Sequence, residues 1–379
     1  MRSLRVCSLF SGIGGIELGL GSAGHRVNLF CERDESARKV LASRFDDVDI
    51  HDDVTKLDAL PEDTELLAAG FPCQDISQAG LVRGLAGKNS QLVEHVFRLI
   101  SARKPAFVLL ENVAFLLRAQ RGRVLSEILE QFETLGYRWA YRVLDSQAFG
   151  VPQRRERVFI LASLEEDPRR ILFAGNKSAP EPFAKTKSKR SVGFYWSEGN
   201  HGFGWAIESI PPLKSGSSAG GALPPAILLP TDEVIKPDIR DAERLQGFRA
   251  GWTKEARSER DRWRLVGNAV TVPVAKWLGG MLANPTDVYW DSTTLAAGAS
   301  WPRAAYNVHG VRRTSDLSSY PIWKPRKRIA EFLNHEGAAL SVRATSGFLS
   351  RARASSLDVP SDLLARIELH LTRQQSSTS

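Results

Sequence analysis

The chain of 379 residues has little cysteine, with Cys7, Cys31 and Cys73 as its three. That odd number at wide spacing excludes a disulfide framework and offers no paired ligands for a zinc site, so a reducing compartment is expected. No uninterrupted apolar stretch reads as long enough to cross a bilayer, and the first residues lack the apolar core and small-residue cleavage site of a secretory signal. The expectation is a soluble cytoplasmic protein with no membrane role. Acidic excess is also missing: 51 lysines and arginines against 43 acids give a formal charge of +8. A basic balance leans towards a polyanionic partner, although alone it decides nothing. The hydrophobic share of 42% is enough for a conventional buried core without staples.

What is present begins with alternation. Residues 4–9 read as a strand, Phe10-Ser11-Gly12-Ile13-Gly14-Gly15 as a tight turn, residues 16–20 as a helix face, and 26–31 as a second strand. Further strands are predicted at 65–69, 106–110, 137–144 and 157–162, with helices over 91–102 and 124–135 between them. This is the order of an α/β fold with a parallel sheet. From 167 to about 237 the periodicity dissolves into Lys, Pro, Gly, Ser and aromatic residues, which predicts a second, smaller lobe. Within it Phe194-Tyr195-Trp196 is read as core. Helical character returns at 241–246 and 274–282, and the last stretch ends in an arginine-bearing, helix-prone tail.

The glycine turn suits a nucleotide-like cofactor, and its details narrow the choice. A dinucleotide fingerprint wants a third glycine where this chain opens its helix with Ile16-Glu17. An acid there disfavours a pyrophosphate but tolerates the cationic sulfonium of S-adenosylmethionine. Glu32, about 20 residues further at a strand end, stands where a carboxylate accepts ribose hydroxyls. Asp53-Val54 could reach an adenine edge, or be an ordinary solvated loop. Ala69-Gly70-Phe71-Pro72-Cys73-Gln74 follows an apolar strand, so Cys73 lies at a carboxyl end, where open α/β sheets place their sites. Pro72 holds Phe71 extended and presents the thiol.

With Pro72-Cys73-Gln74 the chain resembles the DNA cytosine-5 methyltransferase family, of the bacterial restriction-modification type, over nearly all of residues 4–284. Glu111-Asn112-Val113 is similar to the family's catalytic acid motif, and Gln153-Arg154-Arg155-Glu156-Arg157 to its glutamine and paired-arginine motif. Arg244-Leu245-Gln246-Gly247-Phe248 and Gly267-Asn268-Ala269-Val270 resemble the later motifs, in the usual order. The resemblance implies a Rossmann-like S-adenosylmethionine-dependent methyltransferase domain with a smaller target recognition domain. The boundaries expected are a catalytic domain over 1–166, recognition over 167–239, a return to the catalytic domain over 240–284, and a C-terminal extension over 285–379.

The implied reaction is methyl transfer to carbon 5 of a flipped-out cytosine through a Cys73 adduct at carbon 6. Cys73, Glu111, Arg155 and Arg157 would be catalytic, the arginines as candidates for stabilising the thiolate and Glu111, desolvated, as a proton donor to ring nitrogen 3. Phe10, Gly12, Gly14, Glu32, Asp53, Val54, Pro72, Asn268 and Val270 would hold S-adenosylmethionine. Gln74, Ser77, Gln153 and Arg240 would contact DNA, and no metal is expected. The loop after Cys73, up to Ser90-Gln91, reads equally as a lid or as an ordinary loop. The tail is expected to pack on the fold with its arginines adding phosphate contact. Expected partners are double-stranded DNA, bound by a monomer, and a cognate restriction endonuclease acting separately, in a bacterial, nucleoid-associated setting. Three rivals are a transfer-RNA methyltransferase, disfavoured because no Cys-Phe-Thr occurs after Cys73, an inactive DNA-binding relative, and a nicotinamide oxidoreductase. A solitary methyltransferase without an endonuclease also fits.

Overall fold

The structure is a computed structural model that describes residues 1–71, 90–179, 190–199, 202–216, 223–296 and 298–376, with the backbone alone at 90 and 91. In chain order its first elements are β1 (Arg5–Leu9), α1 (Gly15–Gly21), β2 (Arg26–Cys31), α2 (Glu35–Arg44), β3 (Ile50–His51), β4 (Leu66–Ala69), α3 (Ser90–Arg103), β5 (Phe107–Val113), α4 (Arg123–Thr134), β6 (Arg138–Asp145) and β7 (Glu156–Ser163). Next come α5 (Arg169–Leu172), β8 (Val192–Phe194), β9 (Trp205–Ile207), β10 (Ala226–Leu228), β11 (Val234–Lys236), α6 (Ile239–Leu245), α7 (Glu259–Asn268) and α8 (Val272–Ala283). The last are β12 (Thr293–Thr294), β13 (Ala304–Asn307), β14 (Arg312–Thr314), α9 (Ile329–Phe332), β15 (Ala338–Ala339), α10 (Val342–Ala354) and α11 (Ser361–Ser376).

The chain partitions into two units, the first being residues 1–148, 156–179 and 270–323, the second 149–155, 180–269 and 324–379. The first holds a ten-stranded sheet in the order β12-β14-β13-β6-β7-β5-β4-β1-β2-β3. From β3 to β5 the strands are parallel. Their apolar runs are buried on both faces, as crossover helices require. Beyond β5 every pairing is antiparallel, which differs from the all-parallel expectation. The connection from β6 to β7, residues 146–155, has no crossover helix, so the two strands must run in opposite directions. Leu125, Ile128, Leu129 and Phe132 give α4 one buried stripe at helical spacing, and they join Leu9, Leu67, Leu110 and Trp139 in the main core.

The second unit is built on a five-stranded sheet, β15-β11-β10-β8-β9. Its core joins Phe194, Leu228 and Val234 to Phe348, Leu363 and Ile367 from α10 and α11. Phe194 and Tyr195 are buried, as read from the sequence, with Trp196 packed beside them. Two boundaries need correction. Residues 240–269 group with the second unit rather than returning to the first. Nor is 285–379 one extension: its first part adds β13 to the edge at β6, with β14 and β12 outside it, and its second part supplies α9, β15, α10 and α11. One described helical stretch, Glu259–Ala283, also reaches the length and apolarity of a bilayer span. It is α7 followed by α8, its apolar window is 72% buried, and it serves as core.

The tail packs on the fold, as expected, and its arginines make bonds within the second unit. Arg366 bonds Asp232 and the carbonyls of Arg190 and Leu229, and Arg351 bonds those of Trp196 and Glu198. Arg373 donates to the Thr231 carbonyl and Arg353 pairs with Glu368. Phe348, fully buried, lies with its ring centroid 5.0 Å from that of Phe194 and 5.4 Å from that of Phe203. Phe348→Ala is therefore expected to cost about 3–5 kcal/mol in urea unfolding of the intact chain; a loss below about 1 kcal/mol would contradict this account of the core.

Candidate active site

Strand register brings the site together. Leu9 is opposite both Cys31 and Ala69, and Ala69 is opposite Leu110. Residues 10, 32 and 70 therefore leave three adjacent strands at one edge, level with Glu111 near the end of β5. The chain runs outward from β1 to β3 and then returns to the other side of β1 with β4, so strand order reverses between β1 and β4. The crevice at such a reversal is where open α/β sheets bind ligands.

At the β1 end the backbone folds tightly. Phe10, Gly12 and Gly14 all have positive φ, of 55°, 56° and 80°. Gly14 is dictated by space as well, because a Cβ there would fall 2.5 Å from the Phe45 ring. A Cβ on Gly12 would meet nothing within 4 Å, so the turn leaves an open cradle over its backbone. Glu32 closes one side: Oε2 accepts from the Gly12 amide and Oε1 from the Asp34 amide, each at 2.7 Å. Burial pushes its carboxyl up from the usual range, with the amide bonds opposing. Each oxygen keeps a lone pair for a further donor.

Below the turn Glu17 is fully buried in α1. One oxygen accepts from the Ser8 hydroxyl, and Oε2 has no partner. Burial pushes this carboxyl up to about 7, with the Ser8 bond opposing and Glu32 adding repulsion. An open cradle bounded by carboxyl groups fits a cationic, ribose-bearing cofactor. Asp53 is more committed than the sequence indicated: Oδ1 accepts from the Thr55 amide and hydroxyl, both at 2.9 Å. Those bonds hold its carboxyl below the usual carboxylate range. Val54 beside it is buried.

At the β4 and β5 ends, Glu111 is buried and pairs with Arg157, Nε to Oε1 at 3.1 Å. Register explains the pair, since Val113 is opposite Arg157 and the two charged residues share a face of β5 and β7. The guanidinium lies against the carboxyl group, so the buried Glu111 has an oppositely charged partner. Asn112 Nδ2 donates to the Phe71 carbonyl at 3.1 Å, and a Cβ on Gly70 would lie 3.4 Å from Glu111 Oε2. The chain is thus held beside Glu111 as it enters Pro72-Cys73-Gln74. Pro72, Cys73, Gln74, Ser77 and the candidate lid lie outside the described residues. Asn112 is a positioning group that sequence reading passed over, although it sits inside a quoted motif.

The partition of the chain falls inside the paired-arginine motif, between Arg155 and Glu156. In the second unit Gln153, fully buried, donates to the Leu245 carbonyl and Gln246 Oε1 and accepts from the Leu213 amide. These bonds occupy its amide inside the second unit. Arg155 is also buried, and it donates to the carbonyls of Leu213, Gly267 and Ala269. Gln246, missed as a functional position, joins the network by donating to the Val266 and Ala269 carbonyls. Arg240 is exposed and clamped to Asp238 at 2.9 and 3.0 Å. Asn268 is exposed in the second unit and Val270 buried in the first, so these two expected cofactor residues fall in different units.

Residues 4–202 match the profile of the family described as C-5 cytosine-specific DNA methylase. The chain is 43% identical to the Type II methyltransferase M2.BsuMI of Bacillus subtilis over 386 aligned positions, covering 98% of this chain and 99% of that one. It is 33% identical to the Type II methyltransferase M.NgoBV of Neisseria gonorrhoeae, over 50% of this chain and 51% of that one. Among solved structures, that of the S. pombe Dnmt2 methyltransferase superposes with a TM-score of 0.54 at 18% identity, covering 74% of this chain and 98% of that one. This last likeness concerns the fold.

The state of Glu17 gives a stability prediction. Its folded pKa, about 7, lies above that of an exposed carboxyl, so the folded state binds more protons between about pH 4.5 and 7. Its contribution is fully present below that window and is lost as pH rises through 7. Chemical denaturation from pH 5 to 8 should show the wild type losing up to about 3 kcal/mol more than Glu17→Gln. Equal slopes in the two proteins would remove Glu17 as a buried titrating group.

Proposed function

The chain belongs to the C-5 cytosine-specific DNA methylase family and is a DNA cytosine-5 methyltransferase of the type II restriction-modification kind, and from that premise we propose that Cys73 is its covalent nucleophile and Glu111 its acid. The observation that carries this reading is the placement of Glu111 at the edge where the chain enters Cys73, with Asn112 holding the Phe71 carbonyl. The other two cysteines support it by their state. Cys7 and Cys31 are buried, and burial pushes both thiols up, that of Cys31 to about 12. Neither supplies a thiolate near neutral pH.

S-adenosylmethionine, when bound, supplies a methyl group as an electrophilic carbon. The turn from Phe10 to Gly14, with Glu32 on the ribose and Asp53-Val54 towards the adenine, would hold it; Pro72, Asn268 and Val270 complete the proposed set. The open cradle over Gly12 and the unpartnered Oε2 of Glu17 favour such a cation. A cytosine stacked in a duplex is out of reach, so the target base is flipped out before reaction. Cys73 thiolate then forms a bond to carbon 6, and the displaced ring electrons are accommodated at nitrogen 3, which Glu111 engages through a shared proton. Carbon 5 becomes nucleophilic and takes the methyl group, the pair of the broken donor bond staying on the donor's sulfur. A base, for which solvent water suffices, then takes the proton from carbon 5, the 5,6 double bond reforms and breakage of the bond to carbon 6 returns the Cys73 thiolate. Arg157 orients Glu111 and sets its charge.

Sequence recognition falls to residues 167–239, with Arg240, exposed beside them, and Gln74 and Ser77 contacting DNA. The enzyme works as a monomer on duplex DNA in the bacterial cytoplasm, at the nucleoid. It protects sites that a separate cognate endonuclease would cleave. The test is incubation with methyl-labelled S-adenosylmethionine and unmethylated duplex DNA, followed by bisulfite mapping. Label confined to cytosines of one short sequence and abolished in Cys73→Ser is expected; unlabelled DNA with the wild type would overturn the reading. Glu111→Gln should lower turnover by about 10²–10⁴-fold while duplex binding persists. Wild-type turnover in that variant would remove Glu111 from the mechanism.

A further inference from the structure

β5 carries Glu111 and ends at Val113, after which two short 3-10 turns, Ala114–Leu117 and Ala119–Gly122, lead into α4. This connection leaves the same sheet edge as the site. Between Glu111 and Glu127 it contains Arg118, Arg121 and Arg123 and no acid. Arg123 Nε is engaged by Glu127 at 2.7 Å. Arg118 and Arg121 are exposed. Their side chains make no hydrogen bond or ion pair to any described residue, in contrast to the tail arginines.

The backbone here is unusual. Gln120 and Arg121 both adopt left-handed conformations, with φ of 47° and 58°, followed by Gly122 at 86°. Consecutive non-glycine residues in that region cost on the order of 1–3 kcal/mol each, and such strain persists only where the surroundings enforce it. They do so here. Leu116, Leu117 and Ala119 are buried in the main core, and the Trp301 indole donates to the Gly122 carbonyl at 2.9 Å. Trp301 also packs so closely that a Cβ on Gly122 would fall 2.6 Å from its ring. The turn is therefore a rigid mount that holds two guanidinium groups in solvent, with Phe115, 41% exposed, beside them.

We infer that this turn is a binding site for the sugar-phosphate backbone of the substrate duplex, with Arg118 and Arg121 each contacting a phosphate near the flipped cytosine. The inference rests on the DNA methyltransferase reading above. Guanidinium forks match phosphate geometry, and holding them on a fixed backbone lowers the ordering cost of binding. Contacts of this kind set position and affinity rather than sequence preference.

The test compares the full-length wild type, the Arg118→Ala/Arg121→Ala double variant and the Arg118→Lys/Arg121→Lys double variant. Binding of a fluorescein-labelled duplex is followed by anisotropy across a salt series, and S-adenosylmethionine binding by calorimetry. Losing two phosphate contacts should reduce the slope of log affinity against log salt by about 1.8. Affinity should fall to a similar degree for target and non-target duplexes, with the lysine variant near the wild type and cofactor affinity unchanged in all three. An alanine variant with the wild-type slope and affinity would overturn the inference, as would a lysine variant as impaired as the alanine one, which would point to lost packing. A wild type that neither binds nor labels DNA would instead bring down the underlying reading.

Discussion

Hydrogen-bonded register between parallel strands is the constraint on which the rest of the site depends. β1, β2 and β4 end together at Leu9, Cys31 and Ala69, level with Leu110 inside β5. Because side chains alternate along a strand, a slip of one residue in any of these ladders would turn its terminal group to the other face. Apolar residues buried on both faces make such a slip costly. The sheet thereby fixes where the glycine turn, Glu32, Gly70 and Glu111 stand relative to one another before any ligand arrives. Chemistry is then a matter of a few short bonds: Glu32 to the Gly12 amide, Asn112 to the Phe71 carbonyl, and Arg157 to Glu111.

Charge is handled differently at different places in the molecule. Around the proposed cofactor cradle the charged side chains named here are acids, and Glu17 and Glu32 are held in surroundings that disfavour their ionisation. At Glu111 a guanidinium compensates the buried carboxylate, and removing one partner of such a pair leaves an isolated charge at considerable cost. In the second unit, Arg155 and Arg366 are occupied by backbone carbonyls, and Arg366 also by Asp232. The net positive charge of the sequence therefore overstates what is available to DNA. Arg118, Arg121 and Arg240 are exposed, while many other arginines act as internal cross-links.

In the first unit β1, α1, β2, β4, α3, β5, α4, β6, β7 and α8 were legible in the sequence because their periodicity follows directly from burial, whereas α2, α5 and the short strands β3, β12, β13 and β14 were not read. Glu32, Glu111 and the glycine turn were legible for a related reason: each sits at a strand end, and strand ends can be read from apolar runs. Antiparallel pairing beyond β5 was hidden in the length and composition of one connection. The division of the chain was hidden too, since Phe149–Arg155 and 240–269 join the second unit through long-range contacts that leave no local trace. The internal bonding of Gln153, Arg155 and Gln246 was not legible, because polar residue types suggest a surface. Their burial depends on partners 58 to 114 positions away for Gln153 and Arg155, such as the Leu213 and Ala269 carbonyls. The core role of Phe194 and Tyr195 was recoverable, since aromatic bulk favours burial in any lobe.

Covalent attack by Cys73 is the central claim, and trapping tests it most directly. A duplex carrying 5-fluorocytosine at the mapped target has no proton at carbon 5 to lose, so methylation would leave the carbon–sulfur bond in place. With S-adenosylmethionine present, intact-mass analysis should show one enzyme joined to one DNA strand, and peptide mapping should place the adduct on Cys73. No covalent complex, or one mapped to another residue, from enzyme that methylates the ordinary duplex would contradict the account.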